Sequence, residues 1–167
     1  MKYLIIAIFL VLIGAIAPVT CTVKEIQFNQ QCEGYLKQTA DANTAEIALE
    51  RINLAIEYIE AHNLTDGYTS VLWRTECDNI GYWYKNIKAC KSELEKSLGG
   101  TQLEKSNVLM KVRESLTDNG ESGTVLTTPY GISRYPYNTL WGIGLWVSWI
   151  AFAVGILFFM IFYAERY

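Results

Sequence analysis

Residues 139–164 read TLWGIGLWVSWIAFAVGILFFMIFYA and contain no charged side chain. At about 1.5 Å per residue, a helix of this length exceeds the ~30 Å hydrocarbon core of a bilayer. Trp141 and Tyr163 stand near its two ends, where aromatic side chains favour the membrane interfaces. A buried core helix this long and uncharged would be unusual in so small a domain. The stretch therefore predicts a transmembrane helix.

The amino terminus carries a second apolar run. Residues 3–19 read YLIIAIFLVLIGAIAPV, and only Lys2 precedes them as a charge. Two interpretations fit this pattern, a cleaved secretory signal peptide and an uncleaved signal anchor. Ala15 and Ala17 supply the small residues of a cleavage site, but Pro18 would follow the cut. The sequence therefore favours a signal anchor over residues 1–20.

The order of the two runs predicts the side on which the rest of the chain lies. Both interpretations put the polar middle of the chain on the exported side, whether periplasmic, extracellular or luminal. With an uncleaved anchor both termini are cytoplasmic, including a short tail over residues 165–167. Lys2 and Arg166 then lie inside, as the positive-inside tendency prefers. The expectation is an integral membrane protein whose bulk is exported.

The polar middle predicts a small helical domain. Residues 22–138 hold 12 basic and 16 acidic residues, a net charge of −4, with no basic patch to indicate nucleic-acid binding. Helical periodicity marks residues 44–62, 78–98 and 101–116. The fold class is therefore predicted as an all-α membrane protein. Its exported part is a two- to three-helix antiparallel bundle over residues 21–120, followed by an extended juxtamembrane linker over 121–138 and the transmembrane helix.

Residues 68–85, YTSVLWRTECDNIGYWYK, are unusually aromatic, with five aromatic side chains among eighteen residues. Trp83 and Tyr84 fall on the helical stripe that faces the first helix of the bundle, so we assign them to the core. Aromatic residues and arginine outside that stripe are typical anchors of an interface. They predict a partner-binding surface at the hairpin tip, formed by Tyr68, Trp73, Arg74 and Tyr82.

The inventory of reactive residues argues against an enzyme. The only histidine, His62, stands at a helix end, where its charge suits the helix dipole. Zinc, di-iron and haem motifs are missing, as are glycine-rich phosphate loops. We therefore predict no catalytic residues, no metal site and no cofactor.

The four cysteines, Cys21, Cys32, Cys77 and Cys90, allow three disulfide pairings in an exported domain. A helix between Cys77 and Cys90 would hold them ~20 Å apart, too far to bond. A weak preference for Cys32–Cys90 remains. The alternative is that all four are reduced, small core residues.

The C-terminal apolar run has a continuous face of small residues, which lets helix backbones approach closely in lipid. We expect this face to pack against another helix, either the chain's own first helix or a partner's. Its members are Gly144, Ser148, Ala151 and Gly155.

The hypothesis for function follows from topology. Neither apolar run has an ionisable residue at its centre, which argues against an ion or proton pathway. We predict a non-enzymatic accessory, scaffold or assembly subunit that docks through its transmembrane helix and exported hairpin onto an integral membrane protein partner or a homo-oligomer in the lipid bilayer. The alternative is a membrane-anchored ligand-binding or sensing ectodomain with an aromatic pocket, which signals through a partner.

Overall fold

The protein is mostly helical. A computed structural model describes residues 2–72, 74–120 and 123–165. Its elements, in chain order, are α1 (Lys2–Phe28), a π-helical turn (Asn29–Glu33), α2 (Gly34–Ala40), α3 (Ala45–Ala61), α4 (Ile80–Ser97), α5 (Gln102–Leu116), β1 (Thr117–Gly120), β2 (Gly123–Leu126) and α6 (Asn138–Ala164).

The three helices predicted in the polar middle are present as α3, α4 and α5, each ending within two residues of the predicted bounds. Local capping explains this agreement, because three side chains accept hydrogen bonds from the first turns. Thr44 accepts from the Ile47 amide at 3.3 Å, and Asn79 accepts from the Tyr82 amide at 2.9 Å. Thr101 begins α5 with a full capping box.

The stretch after α5 differs from the extended linker expected over residues 121–138. In its described part, β2 pairs antiparallel with β1, with Thr117 opposite Leu126 and Asp118 opposite Val125. A short 3-10 helix, Ile132–Arg134, follows. The β-branched residues around Val125 favour a strand. The residues directly after the end of α5 form β1, the strand with which β2 pairs.

Residues 26–136 form one compact unit with its own core. Its buried side chains repeat at seven-residue intervals along the helices, which keeps them on one face. Ile52 and Ile59 do so on α3, and Ile80, Ile87 and Leu94 do so on α4. These side chains, together with Val112 and Leu116 of α5, belong to one continuous hydrophobic cluster.

The π-helical turn brings four residues of the first helical stretch into that cluster. Phe28, Cys32, Leu36 and Ala40 are all buried and follow at four-residue spacing. In a regular α-helix such positions drift by about 40° at each step. A turn with more residues per turn offsets this drift, and the four side chains stay in the core.

The second compact unit contains the residues up to Glu25 and those from Tyr137 onward. Within it, α1 and α6 run in opposite directions, since contacts at rising positions of α1 fall at descending positions of α6. The contacting pairs are Tyr3–Phe158, Ala7–Gly155, Gly14–Ser148, Ala17–Gly144 and Lys24–Trp141. Both helices are long and apolar enough to cross a membrane.

Candidate functional site

A groove of about 610 Å³ lies where α4 begins and α5 ends. One wall comes from the start of α4 and the turn before it, and the other from the end of α5, the β-hairpin and the residues that follow β2. The first wall contributes Glu76, Cys77, Asn79, Tyr82, Trp83 and Asn86, and the second contributes Ser115, Asp118 and residues 125–129.

Backbone hydrogen bonds attach the loop before α4 to the start of that helix. Gly67 adopts a left-handed φ of 106°, and its carbonyl accepts a hydrogen bond from the Ile80 amide at 3.0 Å. The Thr69 amide donates to the Asp78 carbonyl, also at 3.0 Å. These backbone bonds fix the start of α4, and therefore the position of the groove's first wall.

Three of the four residues predicted at the hairpin tip lie at or beside this wall, and the fourth, Trp73, lies outside the described residues. The Arg74 guanidinium stands over the Tyr68 ring, 5.1 Å from its centroid. Asn79 connects this pair to Tyr82, because its side-chain nitrogen donates to the Tyr68 hydroxyl at 3.2 Å and its side-chain oxygen caps the Tyr82 amide. Partner binding by this surface stays a prediction.

Tyr82 and Trp83 point to different environments, although they are neighbours in sequence. Tyr82 is 68% exposed, whereas Trp83 is buried in the hydrophobic cluster and also lines the groove. The two were assigned to surface and core, respectively, from the helical period. The groove is therefore lined by a buried indole and by an exposed phenol ring.

The second wall was not anticipated from the sequence. Residues 127 and 128 are held there by long-range bonds, the Thr127 amide to the Leu116 carbonyl at 2.9 Å and the Thr128 hydroxyl to Glu33 at 2.6 Å. Glu33 lies 95 positions away in the chain, and no local pattern could predict this contact. The wall's threonines and Pro129 also form no sequence motif from which a binding site could have been predicted.

The charge on the groove is negative. Glu76 and Asp118 are its acidic residues, and none of the described residues that line it is lysine, arginine or histidine. Three or more potential metal ligands do not come together anywhere in the described parts of the chain. The described lining of the groove is thus aromatic and acidic.

The ring of His62 stacks on Tyr58, with centroids 4.0 Å apart, and its Nδ1 lies 2.9 Å from the Tyr58 carbonyl. The side chain is exposed at the end of α3. Both contacts are made with the preceding turn of its own helix. His62 therefore stands where the helix-dipole argument expects it.

The cysteines differ in environment. Cys77 is exposed at the groove, whereas Cys32 and Cys90 are buried in the core. Burial raises the pKa of the Cys90 thiol above its ordinary value. All four cysteines are free thiols, and no two of them lie at disulfide distance. The structure thus gives no support to the predicted Cys32–Cys90 pair.

A polar cluster joins α3 to α4 beside the core. The Tyr84 hydroxyl donates to the Glu60 carboxylate at 2.5 Å, and the Lys88 ammonium lies 3.4 Å from the same oxygen. The hydrogen bond from Tyr84, assisted by Lys88, lowers the pKa of Glu60, and the same bond raises the pKa of Tyr84. Tyr84 is half-buried, and this hydrogen bond links its hydroxyl to α3.

In the other compact unit, the small-residue face of α6 lies against α1. A Cβ added at Gly14 would stand 3.0 Å from the Ser148 carbonyl oxygen, and one at Gly155 would stand 3.2 Å from the Ala7 carbonyl oxygen. A Cβ added at Gly144 would stand 3.7 Å from the Ala17 methyl, and Ala151 is half-buried. Of the two helices that could occupy this face, the structure places the chain's own first helix there.

Comparison of the chain with protein-family models, with curated proteins and with solved structures finds no match.

Proposed function

We propose that the chain is a two-pass integral membrane protein that serves as a non-enzymatic accessory, scaffold or assembly subunit of a membrane complex. Its α1 and α6 lie in the bilayer, and residues 26–136 form an exported helical domain that presents a partner surface.

The exposed apolar surface of α1 and α6 carries the proposal of membrane insertion. Only 17% of the most apolar window of the first helix and 11% of that of α6 are buried within the protein. A core helix would bury most of such a window. Monomers in water rarely expose contiguous apolar patches beyond a few hundred Å². Two such apolar surfaces are favourable in the hydrocarbon core of a lipid bilayer.

The contacts between α1 and α6 support an uncleaved signal anchor. Gly14 and Ala7 contribute backbone surface to the close approach, and Ala17 contacts Gly144. Cleavage after Ala17 would remove these residues and leave the small face of α6 uncovered. A retained α1 instead satisfies the packing that this face favours.

The groove and the surface beside it support the role of a binding subunit. Tyr68, Arg74 and Tyr82 lie together at the start of α4, and exposed aromatics with arginine are enriched among the residues that dominate binding energy. Val71 and Leu72 of the adjacent loop are also exposed. An integral membrane protein or a second copy of the chain is the partner class that the topology favours.

One observation favours the alternative, a ligand-binding or sensing ectodomain. The groove's volume of about 610 Å³ lies within the ~300–1,000 Å³ that ligand pockets occupy. Its Trp83 and Tyr82 rings would flank a small molecule, and its acids would favour a cation. In this case the domain would bind a ligand and act through a membrane partner.

Native mass spectrometry of the protein extracted in mild detergent tests the two roles. We expect a partner at fixed stoichiometry that is lost in Tyr82→Ala and Arg74→Ala while circular dichroism stays unchanged. Leu103→Ala is the matched control, because Leu103 is an exposed apolar residue about 18 Å along α5 from Ser115. A small molecule lost in Tyr82→Ala would favour the sensing role. A chain without either, in all variants, would contradict both.

A further inference from the structure

The groove between the start of α4 and the β-hairpin has a buried base and open rims. Trp83 on the first wall and Pro129 on the second are buried, whereas Glu76, Tyr82 and Asp118 are exposed. Small-molecule pockets enclose about 70–90% of the surface of their ligand. Rims this open would leave much of a small molecule in water, whereas an extended peptide buries only part of its surface in a groove. The shape therefore favours a peptide.

The base of the groove offers an unused hydrogen-bond donor. Trp83 is only 7% exposed, yet its indole N–H donates to no residue in the parts of the chain that the structure describes. The nitrogen is not sealed from solvent either. An N–H in such apolar surroundings gains free energy when it meets an acceptor. A peptide backbone supplies one at every residue, its carbonyl oxygen.

The rims of the groove favour a cation. Glu76 and Asp118 line it, and its described lining holds no lysine, arginine or histidine. Glu76 forms no ion pair with any described residue, and Arg74, two positions earlier, stacks on Tyr68 instead. Tyr82, which lines the same groove, is 68% exposed, and aromatic rings attract ammonium and guanidinium groups. Charge complementarity therefore indicates a lysine or arginine side chain.

We propose that the groove receives an extended basic segment of the membrane partner. A lysine or arginine of that segment lies between Glu76 and Tyr82, and one of its backbone carbonyls accepts from the Trp83 N–H. On the opposite wall Val125, which is 53% exposed, adds an apolar contact. The inference rests on the proposed function, because it names the chemistry by which the partner is bound.

A displayed library of short linear peptides, selected on the full chain in a neutral detergent, tests this chemistry. The enriched peptides are labelled with a fluorophore, and their binding is followed by anisotropy at low and at high salt. The exposed Cys77 lines the groove, so slower alkylation of this thiol reports that a peptide covers the site.

Three variants of the chain are compared with the wild type, each checked by circular dichroism. Glu76→Gln removes the charge at the rim, and Trp83→Phe keeps a ring at the base but removes the N–H. Glu57→Gln is the matched control for charge. Glu57 is exposed on α3, forms no ion pair with any described residue and does not line the groove.

We expect the enriched peptides to carry lysine or arginine and to slow the alkylation of Cys77. Glu76→Gln should weaken their binding about two- to fivefold at low salt, and high salt should remove this difference because exposed charges are screened. Trp83→Phe should weaken binding about two- to tenfold at either salt concentration, and Glu57→Gln should leave it unchanged.

The inference would be overturned by enriched peptides without basic residues, by an affinity that Glu76→Gln or Trp83→Phe leaves unchanged, or by an unchanged reactivity of Cys77. A partner recovered by native mass spectrometry, with no basic peptide selected, would overturn the inference and leave the proposed function intact. Basic peptides that depend on Glu76, selected on a chain that carries no partner in its own membrane, would contradict the proposed function and leave the chemistry of the groove standing.

Discussion

Replacement of Gly14 by alanine should loosen the α1–α6 pair. A Cβ there would lie 3.0 Å from the Ser148 carbonyl oxygen and 3.3 Å from the Phe152 amide nitrogen. Both atoms belong to the backbone of α6, so no side chain can rotate away, and the helices must separate by a few tenths of an ångström. Overpacking of this kind costs about 1–3 kcal/mol.

Gly144→Ala provides the matched control on the same helix pair. Its Cβ would meet the Ala17 methyl at 3.7 Å, an ordinary contact. Both substitutions gain up to about 1 kcal/mol of helix propensity, which cancels in the comparison. The difference in unfolding free energy between the two variants should therefore be about 2 kcal/mol. Gly155→Ala should fall between them, because the nearest backbone atom to its Cβ, the Ala7 carbonyl oxygen, lies 3.2 Å away, between the 3.0 Å at Gly14 and the ordinary contact at Gly144.

The assay is a titration of the detergent-solubilised protein from mild detergent into SDS, followed by circular dichroism and tryptophan fluorescence. We expect SDS midpoints in the order Gly144→Ala, Gly155→Ala, Gly14→Ala, from most to least stable. Equal midpoints for Gly14→Ala and Gly144→Ala would show that the two helices do not pack through this face.

Three predictions concern the unit formed by residues 26–136. Gly67→Ala should destabilise it by about 1–3 kcal/mol in urea unfolding, because Gly67 has a positive φ and its Cβ would overlap the Tyr135 hydroxyl. Stability should fall as the pH drops from the ordinary carboxyl pKa through the lowered pKa of Glu60, and Tyr84→Phe should flatten that dependence. Thr101→Ala should cost about 1 kcal/mol by removing the capping box of α5; an unchanged urea midpoint would contradict its role.

Most of the helical fold could be predicted from short-range signals in the sequence. The helical period and the caps at Thr44, Asn79 and Thr101 are short-range features, and α3, α4 and α5 follow them closely. The β-hairpin was missed because its glycines, and the prolines that follow it at positions 129 and 136, are typical of an irregular linker. Strand pairing depends on residues that come together only in the folded chain.

Only one of the two walls of the candidate groove could be predicted from the sequence. Aromatic side chains off the helical stripe marked Tyr68 and Tyr82 in advance, since helical spacing separates core from surface. The opposite wall depends on the bond between Thr128 and Glu33, which joins distant parts of the chain. The small-residue face of α6 signalled close packing, but the pattern alone could not distinguish α1 from a partner helix as its occupant.

The accessibility of Cys77 tests the proposed topology most directly. This thiol is exposed within the unit formed by residues 26–136, and the other three are buried. A membrane-impermeant maleimide added to sealed right-side-out membrane vesicles should label Cys77 in full, with no increase after the vesicles are opened. Labelling that appears only after opening would place this unit on the cytoplasmic side and contradict the account.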